Sequence, residues 1–387
     1  MSEKIVVFGA GATGRGHVGL LAWQAGLEVV FVDKKPDLAE LLLRHGRYTV
    51  TLYGAGSQEI AVSGFRVYHA EQRETVAREI ADATLVLTAV FDQNLADVAR
   101  SVALAVSLCA QAGRKQPLNC IACENMMDSS SALGRHVREL LSGNDLVYCE
   151  QHFGFPDCMI SRVVPRPEDP LRVVAEDYNE WTARAEAFRG PKPAALAALE
   201  LVDNQSARLE RKLFIHNGGH AVCGYLGFHR GHRYIHEAVA DPLVAGPVVE
   251  ALDELGEVVR RKHGFSAESI DQYKQDLCRR GAVPEMRDEV LRVVRDPVRK
   301  LSPRERLVAP ALLAVEYGLP RKAIVRGIVA ALRYHHPQDA QSGLLASQLA
   351  EKGLPQVLAE VCGIERGSRL AVEIEEQWDC WPEEGIN

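Results

Sequence analysis

The chain reads as an α/β protein in two parts, a doubly wound Rossmann-type domain followed by a mainly α-helical domain. Three observations predict this. Short apolar β runs alternate with helical runs through the first half of the chain. A glycine-rich turn, Gly9-Ala10-Gly11-Ala12-Thr13-Gly14, joins the first β run to the first helical run. Beyond about Ala194 the chain becomes rich in Ala, Leu, Glu and Arg, and β runs become scarce.

Taken in order, the expected parallel strands are Lys4–Phe8, Leu27–Asp33, Thr84–Val90, Leu118–Cys123 and Leu146–Phe153. Between Tyr48 and Tyr68 the pattern predicts an inserted antiparallel hairpin with Gly54 and Gly56 at its turn. A further β run, Leu171–Val174, precedes Arg189-Gly190-Pro191-Lys192-Pro193, which reads as a linker. The expected domains are therefore 1–193 and 194–387. Helical periodicity is clear in Val248–Arg261 and in Arg321–Leu332. The acidic tail from Trp378 to Asn387 reads as loosely held.

Composition agrees with two soluble domains. At 387 residues the chain is too long for one ordinary core. Hydrophobic residues make up 47% and charged residues 25%, both ordinary globular values. A net charge of −7 gives no reason to expect nucleic acid or an anionic membrane as partner. No apolar run approaches the roughly 20 residues of a membrane span, and an opening that runs straight into a strand, with no basic n-region or cleavage site, leads to the expectation that the protein is not exported. The nine cysteines form no framework. They fit reduced thiols in the cytoplasm. Cys120 and Cys123 make a C-x-x-C without a second pair, inside an apolar run, and read as small buried side chains of a strand.

Gly9, Gly11 and Gly14 make a G-x-G-x-x-G between a strand and a helix. The first glycine permits the tight turn, the second lets the backbone approach a pyrophosphate, and the third lets helix and strand pack closely. The helix N-terminus then offers N–H groups and a positive dipole end to phosphates. The second β run ends at Asp33, about 20 residues on, where an acid accepts hydrogen bonds from ribose hydroxyls. The expected cofactor is NAD, since Asp33 would repel a 2′-phosphate. Lys34 and Lys35, which could neutralise one, read as a solvated loop. The residues expected to hold NAD are Phe8, Gly9, Ala10, Gly11, Ala12, Thr13, Gly14, Asp33 and Ala89.

In the second half, Lys212-Leu213-Phe214-Ile215-His216-Asn217-Gly218-Gly219-His220 is the candidate for proton chemistry. At 100° per residue Asn217 lies about 140° and His220 about 80° from Lys212, so all three can point into one cleft. Two adjacent glycines in a helix cost about 1 kcal/mol each relative to Ala. Such a cost calls for either close approach by a ligand or close helix packing. His216 and His220 stand at a metal-binding spacing, but no third ligand is evident and no metal is expected.

Lys212-x4-Asn217-x2-His220 resembles the K-x4-N-x2-H signature of the polyol-specific long-chain dehydrogenases/reductases. The likeness extends over residues 4 to about 330. It includes Ile121-Ala122-Cys123-Glu124-Asn125-Met126, Gly154-Phe155, Arg162-Val163-Val164-Pro165 and Tyr225-Leu226-Gly227. Arg299-Lys300-Leu301-Ser302 and Glu316-Tyr317-Gly318-Leu319-Pro320 continue it. The blocks around Asn125 and Tyr317 are similar to the sugar-phosphate branch, the mannitol-1-phosphate 5-dehydrogenases.

The resemblance implies an NAD-dependent oxidoreductase that interconverts D-mannitol 1-phosphate and D-fructose 6-phosphate by metal-independent hydride transfer. The alternatives are the same chemistry on a non-phosphorylated polyol or ketose, or on a hexuronate. Lys212 would be the general base, neutral through burial and the nearby nicotinamide charge. Asn217 and Asn125 would donate to the developing alkoxide, and His220 would orient a substrate hydroxyl. A phosphate needs a cationic pocket, and Arg299, Lys300 and Arg306 are its candidates. Asp128 departs from the family pattern, in which this position is uncharged or basic, and would repel a phosphate. The expected partners are small molecules only, and neither a monomer nor a dimer is preferred.

Overall fold

The structure, a computed structural model, describes residues 3–54, 56–124 and 128–382. It divides into two compact units, Met1–Leu209 and Glu210–Asn387.

Six parallel strands form the main sheet of the first unit. They are β1 (Lys4–Phe8), β2 (Glu28–Asp33), β5 (Arg66–His69), β6 (Leu85–Thr88), β7 (Leu118–Ala122) and β8 (Phe153–Gly154), in the order β5-β2-β1-β6-β7-β8. The order reverses at β1, which pairs with β2 on one side and β6 on the other. Both faces are covered, so the strands are continuous apolar runs. Alternation along β1 divides the faces: Ile5 and Val7 pack with Val29 and Phe31, and Val6 and Phe8 pack with Val30, Val32 and Val86.

The predicted hairpin is present as β3 (Arg47–Tyr53) and β4 (Ser57–Ser63), in register Arg47↔Ser63 to Tyr53↔Ser57. The turn closes by the Gly54 N–H donating to Gly56 O at 2.9 Å. The hairpin ends at Ser63. Tyr68 belongs instead to β5 of the main sheet. The later run β10 (Arg172–Glu176) adds to β3 in parallel and completes a small three-stranded sheet. A third sheet joins β9 (Cys158–Ser161), β11 (Glu180–Arg184) and β12 (Leu199–Val202). Because β12 pairs with β11, the chain beyond the Pro-rich segment stays with the first unit as far as Leu209.

One predicted strand is a helix. Residues Gly143–His152 are helical, and only Phe153–Gly154 joins the sheet. Ser142 enters the helix extended, Asp145 lies in its first turn, and Cys149 is buried while Val147 is exposed. Leu146-Val147-Tyr148-Cys149 is an apolar run too short to separate the two periods, and its polar start decides for helix. Cys120 and Cys123 are buried free thiols, Cys120 inside β7 and Cys123 just past its end. Burial raises both thiols well above the ordinary range.

The described regular structure beyond Glu210 is helical, apart from one isolated bridge between Tyr234 and Glu289. Helix Pro242–His263 shows why the local sequence works: the Asp241 carboxylate accepts from Leu243 N at 2.9 Å, Pro242 stands in the first turn, and Gly264 ends it at φ 72°. Lys322–Leu332 buries most of its length in the core of this unit. The start of the acidic tail is held rather than loose. The Arg333 guanidinium lies 3.9 Å from the Trp378 ring centre and donates to the Trp378 carbonyl, and Trp381 packs on His229. Residues 383–387 lie outside the described residues. Among the described residues no helix is long and apolar enough to cross a membrane.

The paired glycines Gly218 and Gly219 serve helix packing. A Cβ at Gly218 would lie 2.8 Å from the Arg306 carbonyl oxygen, and one at Gly219 would overlap the Leu252 side chain. Gly219→Ala is therefore expected to cost about 1–3 kcal/mol. Gly246→Ala, inside a helix with open space around it, should gain about 0.5–1 kcal/mol. Thermal denaturation of the two variants beside wild type checks the opposite signs.

Candidate active site

The glycine-rich turn sits at the C-terminal end of β1, where the strand order reverses. In open α/β sheets that position is the ligand crevice. Gly9 turns at φ 90° and donates its N–H to Val32 O at 2.7 Å. A Cβ at Gly9 would overlap the Ala89 carbonyl, and one at Gly14 would overlap the Gly9 carbonyl. Over Gly11, by contrast, a Cβ would meet nothing within 4 Å. The turn is therefore closed on its inner side and open where a diphosphate would approach. Phe8 and Ala10 are buried, Ala12, Thr13 and Ala89 are half-buried, and the Ala89 N–H donates to Phe8 O at 2.8 Å.

Residues behind the turn hold its shape. The Asp33 carboxylate accepts from Ala10 N at 2.7 Å and from Lys35 N at 2.8 Å. Each oxygen keeps a further lone pair for a ligand hydroxyl. Lys34 donates to the Asn94 side chain at 2.6 Å in an exposed loop, as its solvated reading predicted. The helix after the turn begins as a π-helical turn, Gly14–Val18. Within it Arg15 is buried, donates to Ala10 O at 2.6 Å and to the Pro170 carbonyl, and lies 5.2 Å from the Tyr48 ring centre. Arg162 donates to Gly16 O at 3.0 Å. These two arginines tie the turn to the small sheet and its flanks. Neither task shows in the local sequence, since the partners of both arginines lie far along the chain.

In the second unit the candidate residues stand on one long helical stretch, Gln205–His229, whose middle, Lys212–Gly218, is π-helical. This corrects the angular reading made with a regular helix. The wider i→i+5 turn brings Lys212 and Asn217 closer together around the axis than about 140°. Burial sorts the segment: Lys212, Asn217 and His220 are half-buried, while Phe214, Ile215, His216, Gly218 and Gly219 are buried. π-Turns inside helices are frequent at functional sites.

His220 has a partner that the sequence did not single out. Its Nε2 lies 3.0 Å from the Asp288 carboxylate, which also accepts from Arg292 Nε at 2.7 Å. Burial alone would raise the Asp288 carboxyl, but the hydrogen bonds and charges of His220 and Arg292 outweigh it and hold it at about 2. Asp288 is thus ionised at neutral pH. It is far from His220 in the chain, and no local pattern points to it. His216 is fully buried, and its titration is driven well below the ordinary imidazole range. Burial is the main cause, followed by the neighbouring basic groups Arg280, His220, Lys212 and Arg306.

Of the cationic candidates, Arg306 donates to Glu305 at 2.8 Å and is buried, and half-exposed Arg299 donates to the same carboxylate at 3.2 Å. Lys300 is buried and donates to the Arg295 carbonyl. Burial, then repulsion from Arg306, Arg299 and Arg295 against attraction from Asp296, lowers its ammonium to about 7. Asp128 is exposed, in a left-handed conformation ahead of helix Ser129–Glu139. Asn125 lies outside the described residues. Among the described residues no group of three or more His, Cys, Asp or Glu side chains is placed to hold a metal ion.

A doubly wound parallel sheet with a glycine-rich turn at its switch point defines a dinucleotide-binding fold of the Rossmann type. Comparison with known proteins gives the family. Residues 3–195 match the mannitol dehydrogenase Rossmann domain, and residues 206–381 match the mannitol dehydrogenase C-terminal domain. The chain belongs to the mannitol dehydrogenase family, and its cofactor is NAD.

Solved structures share the fold. Pseudomonas fluorescens mannitol 2-dehydrogenase, in a ternary complex with NAD and D-mannitol, matches all of this chain and 93% of its own at 17% identity and a TM-score of 0.77. A D-sorbitol dehydrogenase in substrate-free form matches all of this chain and 94% of its own at 17% identity and a TM-score of 0.84. D-Mandelate dehydrogenase, solved with NADH and anilino(oxo)acetate, covers 89% of this chain and 99% of its own at 14% identity and a TM-score of 0.52.

The lowered Lys300 fixes a pH dependence. Its folded value of about 7 lies below the ordinary 10.5. Between these values the unfolded chain binds more protons than the folded one, so the group makes stability rise with pH across that window. Lys300→Met should flatten the rise. Denaturant unfolding near the two ends of the window, for variant and wild type, checks it.

Proposed function

We propose that this protein couples oxidation of a secondary alcohol on D-mannitol 1-phosphate to reduction of NAD, and runs in reverse on D-fructose 6-phosphate. The observation that carries this reading is the electrostatic setting of the Lys212–His220 segment. The ionisable groups that act most on the buried His216 ring are all basic, with the guanidiniums of Arg280 and Arg306 among them. With Arg299 and Lys300 beside Arg306, such surroundings favour a substrate carrying an anionic group.

In this reading Lys212, as the neutral amine, accepts the proton of the reacting hydroxyl. Asn217 and Asn125 donate hydrogen bonds to the oxygen as it gains negative charge. His220 donates a hydrogen bond from Nε2–H to ionised Asp288, which leaves Nδ1 as an acceptor for a second substrate hydroxyl and fixes the ring. Bound NAD supplies the hydride acceptor, held by the Gly9–Gly14 turn with Asp33 on its ribose. Arg299, Lys300 and Arg306 are assigned to the phosphate, which would restore the Lys300 charge.

A second reading, the same chemistry on an unphosphorylated polyol, is supported by the relatives named above, one of them solved with D-mannitol. It is also supported by Asp128 and by the ion pairs that already engage Arg299 and Arg306.

NADH oxidation with fructose 6-phosphate, fructose and fructuronate separates these readings. Turnover of fructose 6-phosphate well above the other two is the expected result. Preference for fructose would establish the second reading, and preference for fructuronate would replace phosphate by carboxylate. With the preferred substrate, Lys212→Ala should lower kcat by about 10²–10⁴-fold while still binding NADH. Asp288→Ala should lower kcat/KM by up to about a hundredfold through the loosened His220 ring. Asp288→Asn, which keeps an acceptor, should recover part of that loss.

A further inference from the structure

Just past β6, at the same crevice as the glycine-rich turn, the chain places a large aromatic side chain where it is neither packed nor comfortable. Phe91 is 72% exposed, among the most exposed large hydrophobic side chains described. Its backbone stands at φ 68° and ψ 148°. The other non-glycine residues with positive φ among those described, Asp128, Arg287 and Asp296, occupy the ordinary left-handed region. Phe91 instead borders a region that is essentially reserved for glycine. Strain of this kind persists only where surrounding contacts impose it.

The contact is a buried carboxylate. Glu124, just past β7, accepts from Thr88 Oγ1 at 2.8 Å, from Val90 N at 2.8 Å and from Phe91 N at 2.9 Å. Asn94 Nδ2 donates to the Val90 carbonyl at 2.5 Å and braces the same loop. Three donors on one carboxylate tie the end of β6 to the end of β7 and hold Phe91 outward. The adjoining Ala89 carbonyl touches the Gly9 position. The loop therefore borders the turn that receives the dinucleotide.

We propose that Phe91 is an aromatic platform for the nicotinamide end of NAD, held in its strained conformation by Glu124 as a positioning residue. An exposed ring contributes nothing to the core, and a flat aromatic ligand face is the surface it suits. The proposal rests on the NAD reading of the crevice and adds to it the residue that meets the ring.

The test uses NADH and ADP-ribose, which share every part except the nicotinamide. NADH affinity is read by the fluorescence of the reduced ring, ADP-ribose affinity by competition, and the Tm without ligand, for wild type, Phe91→Leu and Phe91→Gly. Phe91→Leu removes the ring and keeps the strain. It should weaken NADH roughly three- to tenfold and leave ADP-ribose unchanged. Phe91→Gly relieves the backbone and should raise the Tm of the free protein. Equal NADH affinity in Phe91→Leu overturns the platform. Equal losses for both ligands would show that Phe91 shapes the loop rather than meeting the nicotinamide. A lower Tm in Phe91→Gly overturns the strain held by Glu124. Failure of wild type to bind either ligand would refute the cofactor reading itself, and the proposal with it.

Discussion

The absence of a side chain at Gly9 and Gly14 is the constraint on which the rest of the molecule depends. The Ala89 carbonyl fills the space a Cβ would need at Gly9, and the Gly9 carbonyl fills it at Gly14. Strand and helix can meet there only as bare backbone, and the turn opens outward only over Gly11. Asp33, Arg15 and Arg162 then fix the turn from behind. The hairpin inserted after β2 supplies the Tyr48 ring beneath Arg15. The insertion thus acts as a buttress for the cofactor turn, as well as extending the fold.

The second unit solves a different problem, that of presenting polar groups from a helix that is otherwise core. The π-helical stretch Lys212–Gly218 gathers Lys212 and Asn217 around the axis. Two glycines let the following turn settle against Arg306 and Leu252. Lys212, Leu213, Asn217 and His220 stay partly accessible, and the rest of Lys212–His220 is buried. Around them the basic groups are held by Asp288, Glu305 and backbone carbonyls. Lys300 is buried, and burial together with the neighbouring arginines lowers its ammonium to about 7.

Much of this was legible in the sequence, because parallel strands buried on both faces are continuous apolar runs and because the glycine spacing has one mechanical reason. The hairpin, the helical second half and the position of the glycine-rich turn follow from such local patterns. What was not legible had non-local or ambiguous causes. The apolar run at Leu146 fits both periods, and its polar start decided for helix. Strand β12 is too short to stand out and exists because β11 offers it an edge. A π-turn is invisible to a 100° periodicity, which overstates the angle between Lys212 and Asn217. Asp288 reaches His220 across the fold rather than along the chain. The task of Arg15 lies in its contacts with Tyr48 and Pro170, both distant in the chain.

The central claim is that Lys212 is the base of an alcohol oxidation, and chemical rescue tests it most directly. Lys212→Ala would be assayed with added primary amines of graded basicity and size. The account predicts that small amines restore part of the rate, in proportion to the concentration of their free-base form, and that a bulky amine of equal basicity does not. A Lys212→Ala enzyme that is indifferent to every amine, or that turns over at the wild-type rate without one, would contradict it.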